Sequence, residues 1–512
     1  MRDLKPFRDV VSHHESTTTT MPMQATLSAK DSKIAQQQTD YGYLFPELQG
    51  DPENFLPVSP QTVADLQRLA GTMRDPGTPG SLDSVIPSAY SYFGQFVGHD
   101  LTLMKSSPVN FGDPNLHPLT AEEIANIRNL RTPTLDLDSV YGEAPQVNDD
   151  FMLVGAVAHS GNRPPGKFGD DFDLPRTGRL GEVCKDPLHD RAARVGDRRN
   201  DETTTLGQLH VVFLRAHNAI VEAGYNYCEA RSLLRQYYQL VVAHDFLKRV
   251  ADPAIVDGML AKPWPRYEQS RNGTFIPLEF SNAVYRFGHS MIRSAYDFNV
   301  NFPPALAPLR RLFDVLGRYP TMPESWIIEW ERFVDGGTNK ARKIDTQLAG
   351  PLFTLPGMHG VSVATLTLLR GYLLRLPTGQ AVARALGVTA MTAGEIEAVA
   401  ANANADQLKA VKASGFSSRT PLWFYTLAEA AHFQQGQRLG PVGSTVVAGV
   451  LISLIRRSKD SFMSIPGWSA TAPDERQTFS LPGLFRVADV LRPDFAFAEG
   501  SILAATAASG KL

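Results

Sequence analysis

The residues best suited to moving protons lie in the stretch 90–104, YSYFGQFVGHDLTLM, where Gln95 and His99 are followed at once by Asp100. Imidazole is the side chain that gains and loses a proton near neutral pH. On a helix, Gln95 and His99 stand one turn apart and share a face, while Asp100 is rotated about 100° away. An amide and an imidazole then look into one cavity and a carboxylate points elsewhere. Read alone, the same pattern also suits a hydrogen-bonded core histidine. A second histidine, His289, lies in residues 280–296, FSNAVYRFGHSMIRSAY, with Arg286 three positions earlier on what reads as an apolar helix. Gly288 beside it leaves room for a bulky group to approach the backbone. Arg199 and Glu202 precede a long apolar stripe, where side chains can reach out of a helix N-terminus into a cavity.

Residues 131–142, RTPTLDLDSVYG, place Thr132, Thr134, Asp136 and Asp138 at alternate positions, on one side of an extended loop. Hard oxygens at this density suit Ca2+, which takes roughly six to eight oxygen ligands, some from carbonyls and water. The glycine-centred spacing of an EF-hand is absent, and a solvated acidic loop is the competing reading. His13 and His14 sit in a polar tail and carry little weight as ligands.

The formal net charge of −3 over 512 residues provides no basic field, which argues against nucleic acid or anionic lipid as a partner. Two cysteines, Cys184 and Cys228, cannot build a disulfide framework, and the N-terminus lacks the order of a secretory signal. A cytoplasmic location is the default expectation, with leaderless secretion as the alternative. No run is long and apolar enough for a membrane span; the best window, 441–455, contains Gly443, Ser444 and Gly449.

Residues 1–40 read as a mobile arm and 41–512 as one large unit. Helical spacing predicts a first helix over 60–73 with Thr62 as its cap, and a short helix from Thr120, whose TAEEI start is acidic in its first turn. The strongest helix follows Asp201 or Thr203, with Leu206, Leu209, Phe213, Ala216 and Ile220 as its buried stripe and His210 and His217 as core residues. Further helices are expected over 230–250, 364–387, 394–412, 420–436, 440–457 and 484–492. Strand alternation is scarce, so the fold class is mainly α.

Three segments, FGQFVGHDLT, GDRRNDE with LHVVFLRAHN, and YRFGHSMI, resemble in the same order the distal-histidine, distal-arginine and proximal-histidine motifs of the animal-type haem peroxidases, the peroxidase–cyclooxygenase superfamily. RTPTLDLDSVYG resembles the calcium loop of that family. LLRGYLLRLPTGQAVARALG, TPLWFYTLAEAAH and RLGPVGSTVVAGVLI resemble its later helices, so the likeness runs from about residue 41 to residue 455. It implies one mainly α domain holding haem b between two helices. His289 would be the proximal iron ligand, His99 the distal base, Arg199 the distal arginine and Gln95 a polar group beside them. Arg286 and Arg370 would face the haem propionates. Asp100, Thr132, the Thr134 carbonyl, Asp136 and Asp138 would hold a structural Ca2+ that fixes His99. The implied activity is reduction of hydrogen peroxide through a ferryl intermediate, with a small organic donor or a halide as the electron source.

The chain departs from the family pattern at several positions. Vertebrate members esterify haem through an aspartate before the distal histidine and a glutamate after the distal arginine; here these are Gly98 and Glu202, so at most one ester is expected. Thr203 replaces a methionine that one member bonds to haem. Thr367 stands where an asparagine usually supports the proximal histidine, and its shorter side chain bears on ligand basicity. A fatty-acid dioxygenase of the same superfamily is the rival reading. It would use a tyrosine three residues before the proximal histidine, where this chain has Arg286. On an α-helix Tyr285, one residue earlier, is turned by about 100° and is expected to miss the cavity. A peroxide-dependent tailoring enzyme and a non-catalytic haem protein are the remaining alternatives.

Overall fold

The computed structural model describes residues 41–77, 82–105, 109–142, 147–176, 193–270, 273–302, 307–318, 321–355, 361–458, 460–464, 479–492 and 495. The predicted arm, His13, His14 and Cys184 lie outside the described residues. The described chain is mainly α, with five two-stranded pairings and no larger sheet among the described residues. No helix among them is long and apolar enough to cross a membrane.

Among the helices of the described residues, seven matter most for the site: α1 Pro60–Thr72, α2 Ala89–Leu101, α3 Thr204–Glu222, α4 Tyr227–Leu240, α5 Val363–Leu373, α6 Leu422–Gln434 and α7 Pro441–Arg457. The cap of α1 is Ser59, whose hydroxyl accepts from the Thr62 backbone N–H at 3.1 Å, because Pro60 takes the first helical position. Thr62 itself lies inside the helix. Thr203 caps α3 by accepting from Leu206 N–H at 3.2 Å, one of the two alternatives the spacing left open. The short helix after Thr120 carries the full capping box with Glu123.

α2 is buried on almost every side, which explains its aromatic sequence. Phe96 stacks on Phe213 of α3 with centroids 4.5 Å apart and planes 3° from parallel. Such a pair contributes about 0.5–1.5 kcal/mol beyond its burial. Past α4 the helix widens into a π segment, Val241–Phe246, before closing as Leu247–Val250. The insertion puts Asp245 within 2.6 Å of the Tyr90 hydroxyl, which donates to it, and brings Phe246 against α2.

The region around His289 is not a single helix. Leu278–Asn282 is a short α turn, and Val284–His289 is a 3₁₀ helix. A fully buried glutamate, Glu279, accepts from the Leu44 and Phe45 N–H groups and ties this segment to the first of the described residues. α6, α7 and α2 all pack against the 3₁₀ segment.

Candidate active site

α2 and the 3₁₀ segment form two walls of a cavity that opens to solvent, with about 820 Å³ of space counting its mouth. α2 contributes Tyr90, Tyr92, Gln95, Gly98 and His99 to its lining, and the 3₁₀ segment contributes Tyr285, Arg286, Phe287, Gly288 and His289. Gln95 and His99 therefore share the cavity face expected of them. His99 is buried, and its Nδ1 lies 3.0 Å from Oδ1 of Asn200. Asp100 is fully buried and turned to the loop at 137–139, accepting from the Leu137 N–H at 3.2 Å and the Ser139 hydroxyl at 3.1 Å.

The second wall is held by contacts with α6 and with its own backbone. The ring of His289 meets Trp423 edge-on with centroids 6.2 Å apart. The Trp423 indole N–H donates to the Arg286 carbonyl at 3.1 Å, and Arg286 Nε donates to the Ser281 carbonyl at 3.1 Å. A side chain added at Gly288 would meet open space, so the cavity approaches the backbone there. Tyr285 also lines the cavity, contrary to the helical expectation, and its hydroxyl donates to the Gly94 carbonyl at 3.0 Å. Five consecutive residues of the 3₁₀ segment, Tyr285 to His289, line the cavity, so the wall wraps around this segment rather than meeting one face of it.

Arg199, Glu202, Thr367 and Arg370 do not line this cavity. Arg199 lies against Asp197, with Nε at 3.0 Å from Oδ1 and Nη2 at 2.6 Å from Oδ2. Its Nη2 also donates to the carbonyls of His99 at 3.1 Å and Thr102 at 2.7 Å, the C-terminal end of α2. Burial opposes both charges of this pair, but each partner outweighs it: Asp197 is held well below the usual carboxylate range and Arg199 above its ordinary value. Burial raises the Glu202 carboxyl well above its ordinary range, with Arg199 opposing. Thr367 donates its hydroxyl to the Val363 carbonyl of its own helix at 2.8 Å and lines a separate cleft of about 500 Å³ that also touches Trp423. Arg370 is buried on α5, near the Phe111 ring.

The acidic loop closes on Asp100 as expected. Carboxylate oxygens of Asp100, Asp136 and Asp138 lie within 4.8 Å of one another. The Thr132 hydroxyl reaches Asp136 at 3.1 Å and Asp138 at 2.9 Å, and the Thr134 side chain also bonds Asp136. Leu137 takes a left-handed φ of 60°, which folds the loop back on itself. Burial, reinforced by the neighbouring acids, raises Asp100 well above its usual range. Three enclosed carboxylates with a threonine hydroxyl are a donor set that suits a hard dication.

Spacing alone did not reveal Asn200 and His210, which connect to His99, or Tyr90, Tyr285 and Phe246 in the cavity wall. The Asn in RRNDE was the available sign of the first; Tyr285 and Phe246 lie on 3₁₀ and π segments, while His210 and Tyr90 sit on regular α-helices and meet their partners only in the tertiary fold.

The likeness to known proteins agrees with this architecture. The profile described as animal haem peroxidase matches residues 113–448, more than half of the chain. That stretch holds the acidic loop, Arg199, Glu202, Arg286, His289, Thr367 and Arg370 and begins after His99. A peroxidase-like protein of Margaritifera margaritifera is 28% identical over 251 residues, covering 40% of this chain and 32% of that protein. Human thyroid peroxidase is 24% identical over 283 residues, covering 48% of this chain and 28% of its own. The chain thus spans about a third of the length of these curated relatives. Among solved structures, peroxidase A from Dictyostelium discoideum superposes with a TM-score of 0.57 at 15% identity, covering 91% of this chain and 95% of that one. The fatty acid alpha-dioxygenase of Arabidopsis thaliana gives 0.55 at 12% identity, covering 88% and 78%. With its mainly α fold and the match over residues 113–448, this chain belongs to the animal haem peroxidase family.

Proposed function

We propose that this protein is a haem-dependent peroxidase that reduces hydrogen peroxide and oxidises small organic donors. The observation that carries the reading is the placement of His99 and His289 on two walls of one cavity. The residues suit haem b: an imidazole on each wall, glycines 98 and 288 with no side chain to obstruct it, and the Arg286 guanidinium for its carboxylates. Bound haem supplies the redox chemistry that breaks the O–O bond. His289 would hold its iron, and Trp423 keeps that ring in place. His99 moves a proton from one peroxide oxygen to the other, and Gln95 offers an amide to the same space. Arg199 acts by holding the end of α2, and with it His99. Glu202, enclosed beside Arg199 and off the cavity wall, supports haem held without an ester. Asp100, Asp136 and Asp138, with Thr132 and the Thr134 carbonyl, would hold Ca2+ and pin α2 from behind.

Among the described residues Arg286 is the single cationic side chain in the lining, whereas Ile292, Leu309, Phe313, Leu352 and Leu355 form an apolar wall. This favours an organic donor over a halide. The test is a donor panel of phenols, bromide, iodide and fatty acids with peroxide, on the wild type and His99→Leu. Phenol oxidation that falls at least a hundredfold in the variant supports the reading; equal rates in the two proteins reject the role of His99. Tyr285 in the cavity wall favours one second reading, oxygenation of a fatty acid. Oxygen uptake with a fatty acid, lost in Tyr285→Phe, would establish it.

A further inference from the structure

Asn200 is wholly buried and stands between two imidazoles. Its Oδ1 lies 3.0 Å from Nδ1 of His99, and its Nδ2 lies 3.0 Å from Nδ1 of His210. An amide oxygen only accepts and an amide nitrogen only donates. In this orientation His99 must present a proton at Nδ1, and His210 must present a lone pair at Nδ1. Burial in α3 keeps the His210 ring neutral and pushes its pKa down to about 3, so one of its ring nitrogens carries a lone pair and can accept from the Asn200 amide. A neutral ring with a lone pair at Nδ1 carries its proton at Nε2. The neutral ring of His99, with a proton at Nδ1, carries its lone pair at Nε2.

The reverse orientation of the amide has the opposite consequence. It would place a proton on Nδ1 of His210 and a lone pair on Nδ1 of His99, leaving Nε2 of His99 protonated and unable to accept. A side chain that lines the cavity while its Nδ1 is bound to Asn200 has only Nε2 to offer a substrate.

We propose that Asn200 and His210 are positioning residues that set the tautomer of His99, keeping its Nε2 as the proton acceptor for peroxide. The relay rests on the reading of His99 as the proton-transfer group, and its geometry is independent of haem. His210 fixes which way the Asn200 amide faces, and Asn200 fixes which ring nitrogen of His99 carries the proton.

Neutron diffraction from deuterium-exchanged crystals at neutral pH tests this directly. Deuterons are expected on Nδ1 of His99 and on Nε2 of His210; a deuteron on Nδ1 of His210, or none on Nδ1 of His99, overturns the proposal. A kinetic arm separates tautomer control from simple packing. His210→Leu removes the acceptor that orients Asn200, whereas His210→Gln keeps an acceptor oxygen. At equal haem content, the rapid-mixing rate with peroxide should fall about tenfold or more in His210→Leu and recover most of that loss in His210→Gln. Equal rates in all three proteins overturn the relay. Haem content itself, read from the optical spectrum, reports on the peroxidase reading, and the neutron map decides the tautomer whichever way that falls.

Discussion

The neutral state of His210 predicts a specific acid sensitivity. Its folded pKa is pushed down to about 3 by burial, with Asp197 opposing, against roughly 6.5 in an unfolded chain. Between these values the unfolded chain binds a proton that the folded one refuses. The stabilisation is therefore fully present above pH 6.5 and is lost as pH falls toward 3, at about 1.4 kcal/mol per pH unit for one proton. From pH 6 to pH 4 this single residue withdraws about 2–3 kcal/mol, a large share of a typical stability of about 5–15 kcal/mol. His210→Gln retains an acceptor for Asn200 and removes the titration. Urea unfolding of both proteins at intervals from pH 7 to pH 4 measures the difference, in which all other titrating groups cancel. The variant should lose about 1.4 kcal/mol less per pH unit through the lower part of this window. Parallel curves would refute the assignment of His210 as a buried neutral ring.

Two further outcomes are expected. Asp197→Ala leaves the enclosed guanidinium of Arg199 without its carboxylate, and loss of one partner of a buried pair costs about 3–5 kcal/mol; a change below about 1 kcal/mol in chemical denaturation would contradict the role given to that pair. EDTA should lower the thermal midpoint of the wild type, and Asp136→Ala should lower it in the absence of chelator and abolish the EDTA effect. A wild-type midpoint indifferent to EDTA, with no calcium found by elemental analysis, would reject the metal loop.

Much of this architecture was legible from residue spacing. The apolar stripe of α3, the shared face of Gln95 and His99, and the opposite heading of Asp100 follow from α-helical periodicity, and α3 and α2 are regular α-helices. The acidic loop was legible because alternating oxygens in an extended segment converge on one side. Three features were not legible, each for a local reason. The cavity wraps around the 3₁₀ segment at Val284–His289 and so takes in Tyr285, and nothing in the apolar pattern separates this segment from an α-helix. The π segment at Val241–Phe246 shifts Phe246 by one position within a helix whose pattern reads as continuous. The pairings of Arg199 with the end of α2 and of Asn200 with His99 join residues about a hundred positions apart, where chain periodicity carries no information. Arg199 was expected to face substrate because its motif suggested it; Asp197, two residues earlier, holds it instead.

The central claim is that His289 and His99 frame a haem cavity. The most direct test is the optical spectrum of the purified protein, wild type and His289→Ala, before and after one equivalent of peroxide. A Soret band that shifts with peroxide in the wild type, and whose haem content is mostly lost in His289→Ala, is the predicted result. A protein that takes up no haem on reconstitution, or one that binds it equally well without His289, would contradict the account.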